Sequence, residues 1–383
     1  MPHDENREPI YLDHNATTPL LPQVAEAMVR HWRESAGNPS SAHVYGRRAR
    51  QAVEKGRRQV AQLLGCEPSE ILFTSGGTEA NNLAIVGVAR ARAGRPGVVT
   101  SVIEHPATIE PCRWLAGQGR SVSVVDVDGD GRVAVDQIRQ AINDETALVS
   151  VMHANNETGV IQPIEEIAEM VKSAGATMHT DAAQSVGKVS VNVEALGVDL
   201  LSLAGHKIYG PKGIGALYVR SGTPLAPLLH GASHERGLRP GTENVAAIVG
   251  LGVACKAAAE QLEASAQKLE TLRDRLFEQL RANVPGIELN GHADYRLPNT
   301  LNIRFPSVVG NQLLEAATEV AASTGSACHN GQCEASRVIV AMGIPPNRAI
   351  GSLRLSLGKT TTIDDVNRAA ESLIAAWEKV ADH

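Results

Sequence analysis

The chain has 383 residues, 43% of them hydrophobic, and a formal net charge of −6 spread without an acidic or basic block. The length exceeds one average domain and anticipates a large core with a smaller companion, while the charge pattern argues against nucleic acid or an anionic membrane surface and leaves a small molecule as the default partner. No apolar run approaches a membrane span, and MPHDENREPIYL has neither the basic nor the apolar region of a secretory leader, so a cytoplasmic protein is expected.

Up to Arg220, short β-rich runs alternate with helical patterns: EILFTS then TEANNLAIVGVARARA, GVVTSVI then PATIEPCRWLAGQG, SVSVVDV then VDQIRQAIN, ALVSVM then IEEIAEMVKSAG, and ATMHT. Near-continuous apolar strands between amphipathic helices predict an α/β domain with a mainly parallel central sheet covered on both faces. After LLSLAG and IGALYVR the pattern changes. The stretch from Glu243 to Val284 reads as two helices, the second being SAQKLETLRDRLFEQLRANV, which is expected to cross into another domain. The remainder, IELNG, TLNIRFP, QLLEAATEV, SLRLSLG and TIDDVNRAAESLIAAWEKVADH, mixes short strands and helices as a small α+β domain does. No internal repeat or low-complexity linker interrupts the chain.

The five cysteines, Cys66, Cys112, Cys255, Cys328 and Cys333, are odd in number and scattered, which argues against a disulfide framework. GSACHNGQC, residues 325 to 333, admits a metal or redox clip made by Cys328, His329 and Cys333, or a single nucleophilic thiol on a mobile loop. Structural zinc takes four ligands, one more than this segment supplies.

Polar residues gather where the predicted strands end. EILFTS runs into GGTEANN, GVVTSVI into EH, ALVSVM into HANNE, ATMHT into DAAQ, and LLSLAG into HKIYGPKG. Any one of these clusters is ordinary turn chemistry. Five at the carboxyl ends of one open sheet describe a binding site. Ser75-Gly76-Gly77-Thr78 entering a helix can face an anion with its N–H groups, although neither GxGxxG nor GK[ST] is present, which favours a cofactor with one phosphate over a nucleotide. Asp181 closes an apolar strand, where a carboxylate needs a cation or good donors. Lys207 follows LLSLAG, where desolvation would make a usable amine, and Lys212 competes for that role. A phosphate cradle, an acid for a pyridinium nitrogen and a Schiff-base lysine together specify pyridoxal 5'-phosphate.

The segments YLDHNATTPL, GNPSSAH, EILFTSGGTEANNLAI, VSVMHANNETGVIQPI, HTDAAQSVGK, SLAGHKIYGPKGIGALYVR, HERGLRPGTEN, STGSACH and LRLSLG resemble, in order, the cysteine desulfurases, which are class-V, fold-type-I pyridoxal phosphate enzymes. The resemblance implies a homodimer with a large cofactor domain, residues 17–261, and a small domain made of residues 1–16 and 262–383. It places Lys207 at the Schiff base, Asp181 on the pyridinium nitrogen and His105 stacked on the ring. Gln184 and Asn156 would approach the phenolic oxygen. Gly77, Thr78, Ser202 and His206 would hold the phosphate, joined by Thr242 of the partner subunit. Arg354 would clamp the substrate carboxylate, with Asn156 and His329 also in contact with substrate.

Cys328 matches the family nucleophile. L-Cysteine would displace Lys207, whose freed amine takes the α-proton. The Cys328 thiolate would then attack the γ-sulfur, leaving a persulfide and alanine. An ordinary thiol is only a few per cent ionised at neutral pH, so His105 or His329 is expected to assist. The Cys-His pair, YRLPNTLNI and LRLSLGKTTT are similar to selenocysteine lyase, so release of selenium from L-selenocysteine is the alternative reaction, with transamination a third. The chain ends soon after its terminal helix, which puts delivery to an iron–sulfur scaffold in question and leaves another sulfur or selenium acceptor protein open. Cys333 is read as an incidental loop thiol rather than a resolving one.

Overall fold

The structure is a computed structural model that describes residues 8–325, 328–329 and 332–381, excepting the side chains of Cys328, His329, Gln332 and Cys333. The strands are β1 (Ile10–Tyr11), β2 (Ile71–Thr74), β3 (Gly97–Ser101), β4 (Ser121–Val125), β5 (Thr146–Ser150), β6 (Thr177–Asp181), β7 (Leu200–Ala204) and β8 (Gly215–Val219). The later part of the chain adds β9 (Glu288–Leu289), β10 (Thr300–Arg304), β11 (Val320–Ala321), β12 (Cys328–His329), β13 (Gln332–Cys333) and β14 (Ser352–Ser356). The helices used below are α1 (Pro22–Glu34), α2 (Val44–Leu64), α3 (Gly77–Ala91), α4 (Pro106–Gly117), α5 (Val135–Ala141), α6 (Ile164–Ser173), α7 (Val193–Leu196) and α8 (Val245–Asn283).

Seven strands form the main sheet in the order β2-β8-β7-β6-β5-β3-β4. Only β8 runs against its neighbours. The apolar runs become strands buried on both faces: β2, β5, β6, β7 and β8 are buried at every residue. The edge strand β4 is partly exposed and buries only its last residue, Val125. From β5 the chain proceeds outward through β6 and β7, whereas β3 and β4 lie on the other side, so the connections diverge beside β5 and open a crevice at the carboxyl edge.

A second, antiparallel sheet, β14-β10-β9, packs with the C-terminal helix Ile363–Val380 around its own apolar cluster, which includes Leu301, Leu353, Leu355, Leu373 and Leu276. β1 joins that unit by pairing in parallel with β11.

The expected pair of helices between Glu243 and Val284 is one continuous helix, α8, of 39 residues. Its first half buries Ile248, Leu251, Ala254 and Cys255 in the large core, and its last turns bury Leu272, Leu276 and Leu280 in the small one. Between them Ala259 to Lys268 face solvent to varying degrees, and that interruption of the apolar stripe imitated a break. No glycine or proline lies there, and Ala, Glu, Gln and Lys propagate a helix through water. Among the described residues α8 is also the one helix long and apolar enough to cross a membrane, and most of its apolar window is buried inside the fold.

Candidate active site

At the carboxyl edge of the main sheet a cavity of about 380 Å³ is lined by Gly77, Thr78, His105, Asn156, Asp181, Gln184, His206, Lys207 and Arg354, together with Asn15, Ala16 and Asn81. Each main-chain element contributes by ending there. β2 turns through Ser75-Gly76 into α3, whose first turn brings the unpaired N–H groups of Gly77 and Thr78 to the wall. β6 ends at Asp181, whose Oδ2 accepts from Nδ2 of Asn81 at 2.6 Å and whose Oδ1 accepts from the Ala183 N–H at 2.9 Å. The residue is 7% exposed, so its charge is held by these donors and aimed into the cavity.

Lys207 follows β7 and reaches back across the site, its Nζ donating to the carbonyls of Asn15 at 2.6 Å and Ala16 at 2.8 Å. Burial, reinforced by Arg354, brings the amine down to about 8, against the pull of Asp181 and Asp13. Lys212 points to solvent outside this cavity, so the two lysines that the sequence left open are separated by position. Tyr209, two residues beyond Lys207, adopts a left-handed φ of 64°. It is held there by its N–H on Thr18 Oγ1 at 2.7 Å and by its hydroxyl accepting the Lys359 N–H at 2.8 Å.

His105 caps α4, its Nδ1 accepting from the Ala107 N–H at 3.1 Å, which places the ring proton on Nε2. Desolvation, with Lys207 added, outweighs Asp181 and lowers its pKa, so the ring is neutral. His206, bonded through Nδ1 to Thr17 Oγ1 at 3.1 Å, is brought down to about 4 by burial and by Lys207 and Lys212. Arg354 extends from β14, with Nη2 paired to Asp13 Oδ1 at 2.6 Å and Nη1 on the Asn156 carbonyl at 3.2 Å, while its Nε is buried without an acceptor among the described residues. A guanidinium so anchored is pre-oriented and still has a donor to offer.

Ser202, expected here, lies elsewhere, and Thr242, expected to serve the partner subunit's site, stands outside this cavity. Ser202 does not line the cavity; it is fully buried one pleat below Ala204, with its Oγ 3.0 Å from Nε2 of His179, and Ala204 forms the wall instead. The alternation of a strand puts both residues on one face, and only the later one reaches the edge. Thr242 is exposed on the wall of a separate cavity of about 840 Å³, beside Arg57 and Glu235, which are already paired to each other. The side chains of Cys328, His329 and Cys333 lie outside the described residues. The carboxyl group of Glu157 lies against both flanks of the segment bearing them, bonded on one side and leaving no room for a side chain on the other. Ser336 Oγ donates to Glu157 Oε2 at 2.5 Å, and a Cβ on Gly325 would fall 2.5 Å from the same oxygen. Burial raises this acid to about 7.

Asn15, Asn81, Glu104 and Lys188 were missed from the residues alone. Asn81 stood in the GGTEANN cluster, and its position one turn into α3 was the available signal. Asn15 had none, because it reaches the site only when the N-terminal segment folds across it. Glu104 is buried behind His105, its Oε1 accepting from Ser101 Oγ at 2.6 Å and the Met152 N–H at 2.9 Å, and burial raises it to about 8.

A desolvated amine, a donor-held carboxylate, a helix N-terminus and an anchored guanidinium around one crevice define an α/β enzyme with an anionic ligand. The family model "Aminotransferase class-V" matches residues 10–369. A cysteine desulfurase IscS of Methanosarcina thermophila is 47% identical over 94% of this chain and 90% of its own length, and a cysteine desulfurase NifS of Azotobacter vinelandii is 45% identical over 94% and 90%. Among solved structures a NifS-like protein superposes with a TM-score of 0.91 at 37% identity, covering 97% of this chain and all of that one, and SspA in complex with cysteine gives 0.80 at 38%, covering 91% and 98%. The chain belongs to the class-V aminotransferase family, within its cysteine desulfurases.

Proposed function

We propose that this protein is a pyridoxal phosphate-dependent cysteine desulfurase, converting L-cysteine to L-alanine and passing the sulfur through Cys328 to an acceptor. The observation that carries the reading is the convergence of Lys207, Asp181 and the α3 N-terminus on one cavity of about 380 Å³. The residues fit the cofactor. Gly77 and Thr78 N–H groups suit a phosphate, with His206 and Thr78 Oγ1 beside them. Asp181 suits a protonated ring nitrogen, and Gln184 and Asn156 line the wall where a phenolic oxygen would need partners. Bound there, pyridoxal phosphate would supply an electron sink for cleavage at the substrate's α- and β-carbons.

This chain's own residues would do the rest. With a pKa of about 8, roughly a tenth of Lys207 is unprotonated at pH 7, enough to act as a base and to return a proton. Arg354, fixed by Asp13 and Asn156, would take the substrate carboxylate and set its orientation. Neutral His105 would cover the ring and relay a proton. Cys328 as thiolate would attack the substrate sulfur; the C–S bond breaks, its electron pair passes to Cβ, and Cβ takes a proton to give alanine. The neighbouring carboxyl of Glu157, bonded to Ser336 and leaving room only for a glycine at position 325, would set where that segment starts and ends.

We further infer a homodimer in which exposed Thr242 completes the partner's phosphate site, and a division into residues 17–261 and residues 1–16 with 262–383, which the separate apolar clusters favour. The free thiols of Cys66, Cys112 and Cys255 fit a reducing, cytoplasmic setting. The test is product formation from L-cysteine and L-selenocysteine in parallel, wild type against Cys328→Ala, counting alanine with sulfide or selenide. Cysteine turnover that the substitution abolishes supports the proposal. Turnover of selenocysteine alone, or full cysteine turnover by Cys328→Ala, refutes it.

A further inference from the structure

Lys188 is 8% exposed, and its two acceptors are both neutral amides: Asn15 Oδ1 at 2.9 Å and Gln184 Oε1 at 3.0 Å. Burial, with the charges of Lys207 and Arg354 added, takes its pKa well below the ordinary lysine value, and the nearby His14, itself down to about 4, is a neutral ring that offers no counter-charge. Packing alone would be served at lower cost by a methionine. What a lysine does that a methionine does not is donate. Both amides present oxygen to this nitrogen, and an amine that spends its hydrogens on them favours that orientation of each amide over the flipped one.

For Asn15 the consequence is complete. Its Oδ1 also accepts from Asn299 Nδ2 at 3.1 Å, and its Nδ2 donates to Thr300 Oγ1 at 2.9 Å. For Gln184 the oxygen is fixed on Lys188, so Nε2 faces the other way, donating one N–H to the Asn15 carbonyl at 3.0 Å. That carbonyl is the one that accepts from Lys207 Nζ. The second N–H of Gln184 is therefore the polar group this side chain offers the cavity. We propose that Lys188, which does not line that cavity, is a positioning residue that locks the Gln184 amide as a donor to the phenolic oxygen of bound pyridoxal phosphate. The inference rests on the cofactor assignment above.

A donor on the phenolic oxygen competes for it with the proton carried by the bound chromophore, so losing the donor strengthens proton binding. The measurement is the pH midpoint of the visible absorbance change in the holoprotein, for wild type, Lys188→Met, Gln184→Met and the double variant. Lys188→Met should raise the midpoint by about half a unit to one unit, Gln184→Met should raise it comparably, and the double variant should go no further than either. Additive shifts, or a midpoint unchanged in Lys188→Met, overturn the proposal. So does an unchanged midpoint in Gln184→Met, an arm that leaves the buried lysine in place and remains decisive if Lys188→Met fails to fold. Lys188→Gln, which keeps a donor in the pocket, should restore at least part of the wild-type value. Wild-type protein that takes up pyridoxal phosphate without any lysine-linked visible band refutes the cofactor assignment instead, a distinct outcome.

Discussion

Glu104→Gln tests whether the acid behind His105 is neutral in the folded protein. The carboxyl is buried, its Oε1 accepts two hydrogen bonds, and Oε2 is buried with no partner among the described residues. Burial is the first cause that raises it to about 8, with the charge of Asp181 adding to the effect and the two hydrogen bonds opposing it. A carboxyl raised from 4.5 binds its proton more tightly folded than unfolded, so it contributes stability at acid pH that is lost as pH climbs towards 8. The loss is about 1.4 kcal/mol per pH unit, or about 4 kcal/mol over roughly three units. Glutamine keeps an oxygen for Ser101 and Met152 but cannot titrate; its NH₂ adds only a pH-independent offset. Unfolding entropy near 2.1 cal/mol/K per residue amounts to about 0.8 kcal/mol/K for a chain of this length, so the Tm of Glu104→Gln should gain on wild type by about 5 °C between pH 5 and pH 8. Thermal melts of both proteins across that range decide it. Parallel Tm profiles would refute the reasoning and mean that Glu104 is an anion satisfied by its two donors.

Arg354→Lys should raise KM for L-cysteine by about 10- to 100-fold while cofactor content stays near wild type. A lysine cannot keep both Asp13 and the Asn156 carbonyl and still present a fixed donor, and a charge-assisted hydrogen bond is worth about 1.5–3 kcal/mol; steady-state kinetics with absorbance of the bound cofactor measures both. Glu235→Ala should cost about 3 kcal/mol or more, because the largely buried Arg57 guanidinium loses the carboxylate it meets through both oxygens, at 2.7 and 2.9 Å, and keeps only the partly exposed Glu54 and the Ile71 carbonyl, while the Phe73 N–H loses its acceptor. By the same entropy the Tm should fall by about 4 °C or more, and a change below about 1 °C would contradict it.

Much of this site could be read before folding because it is assembled where strands stop. Polar residues after five apolar runs had to lie at one edge once the runs were recognised as parallel strands, which brings Asp181, His105 and the Lys207 loop to that edge, whereas the preference for Lys207 over Lys212 came from the family resemblance. The two failures have the same origin in reverse. Ser202 lies in the same strand as Ala204, and period-two alternation states which face it uses but not how deep the cavity cuts. The break expected inside α8 came from equating loss of an apolar stripe with loss of helix, whereas a helix crossing between two cores needs no stripe in the gap. Glu104 and Lys188 were invisible for another reason: a charged residue next to turn chemistry reads as solvated until the packing around it is known.

The largest contribution that no local pattern carried is that of residues 13–18. They form no helix or strand of their own beyond a single bridge from Asp13 to Ser356, and their polar groups are spent on other parts of the chain. Asn15 donates its N–H to Ser356 Oγ at 2.9 Å and accepts on its carbonyl from Lys207 and Gln184, Thr17 takes His206, and Thr18 receives the Tyr209 N–H while donating to the His206 carbonyl at 2.9 Å. Asp13 holds Arg354. The segment thus links the β14 arginine of the small unit to the lysine loop of the large one through its own backbone and short polar side chains. A shift of the small unit relative to the sheet is felt at Asn15, whose carbonyl bonds to Lys207. Substrate carboxylate at Arg354, as proposed above, would compete with Asp13 for the same guanidinium and so act two positions from that hub. On that reading, occupation of the carboxylate site is coupled to the hydrogen bonds that restrain the lysine amine, within a span of six residues.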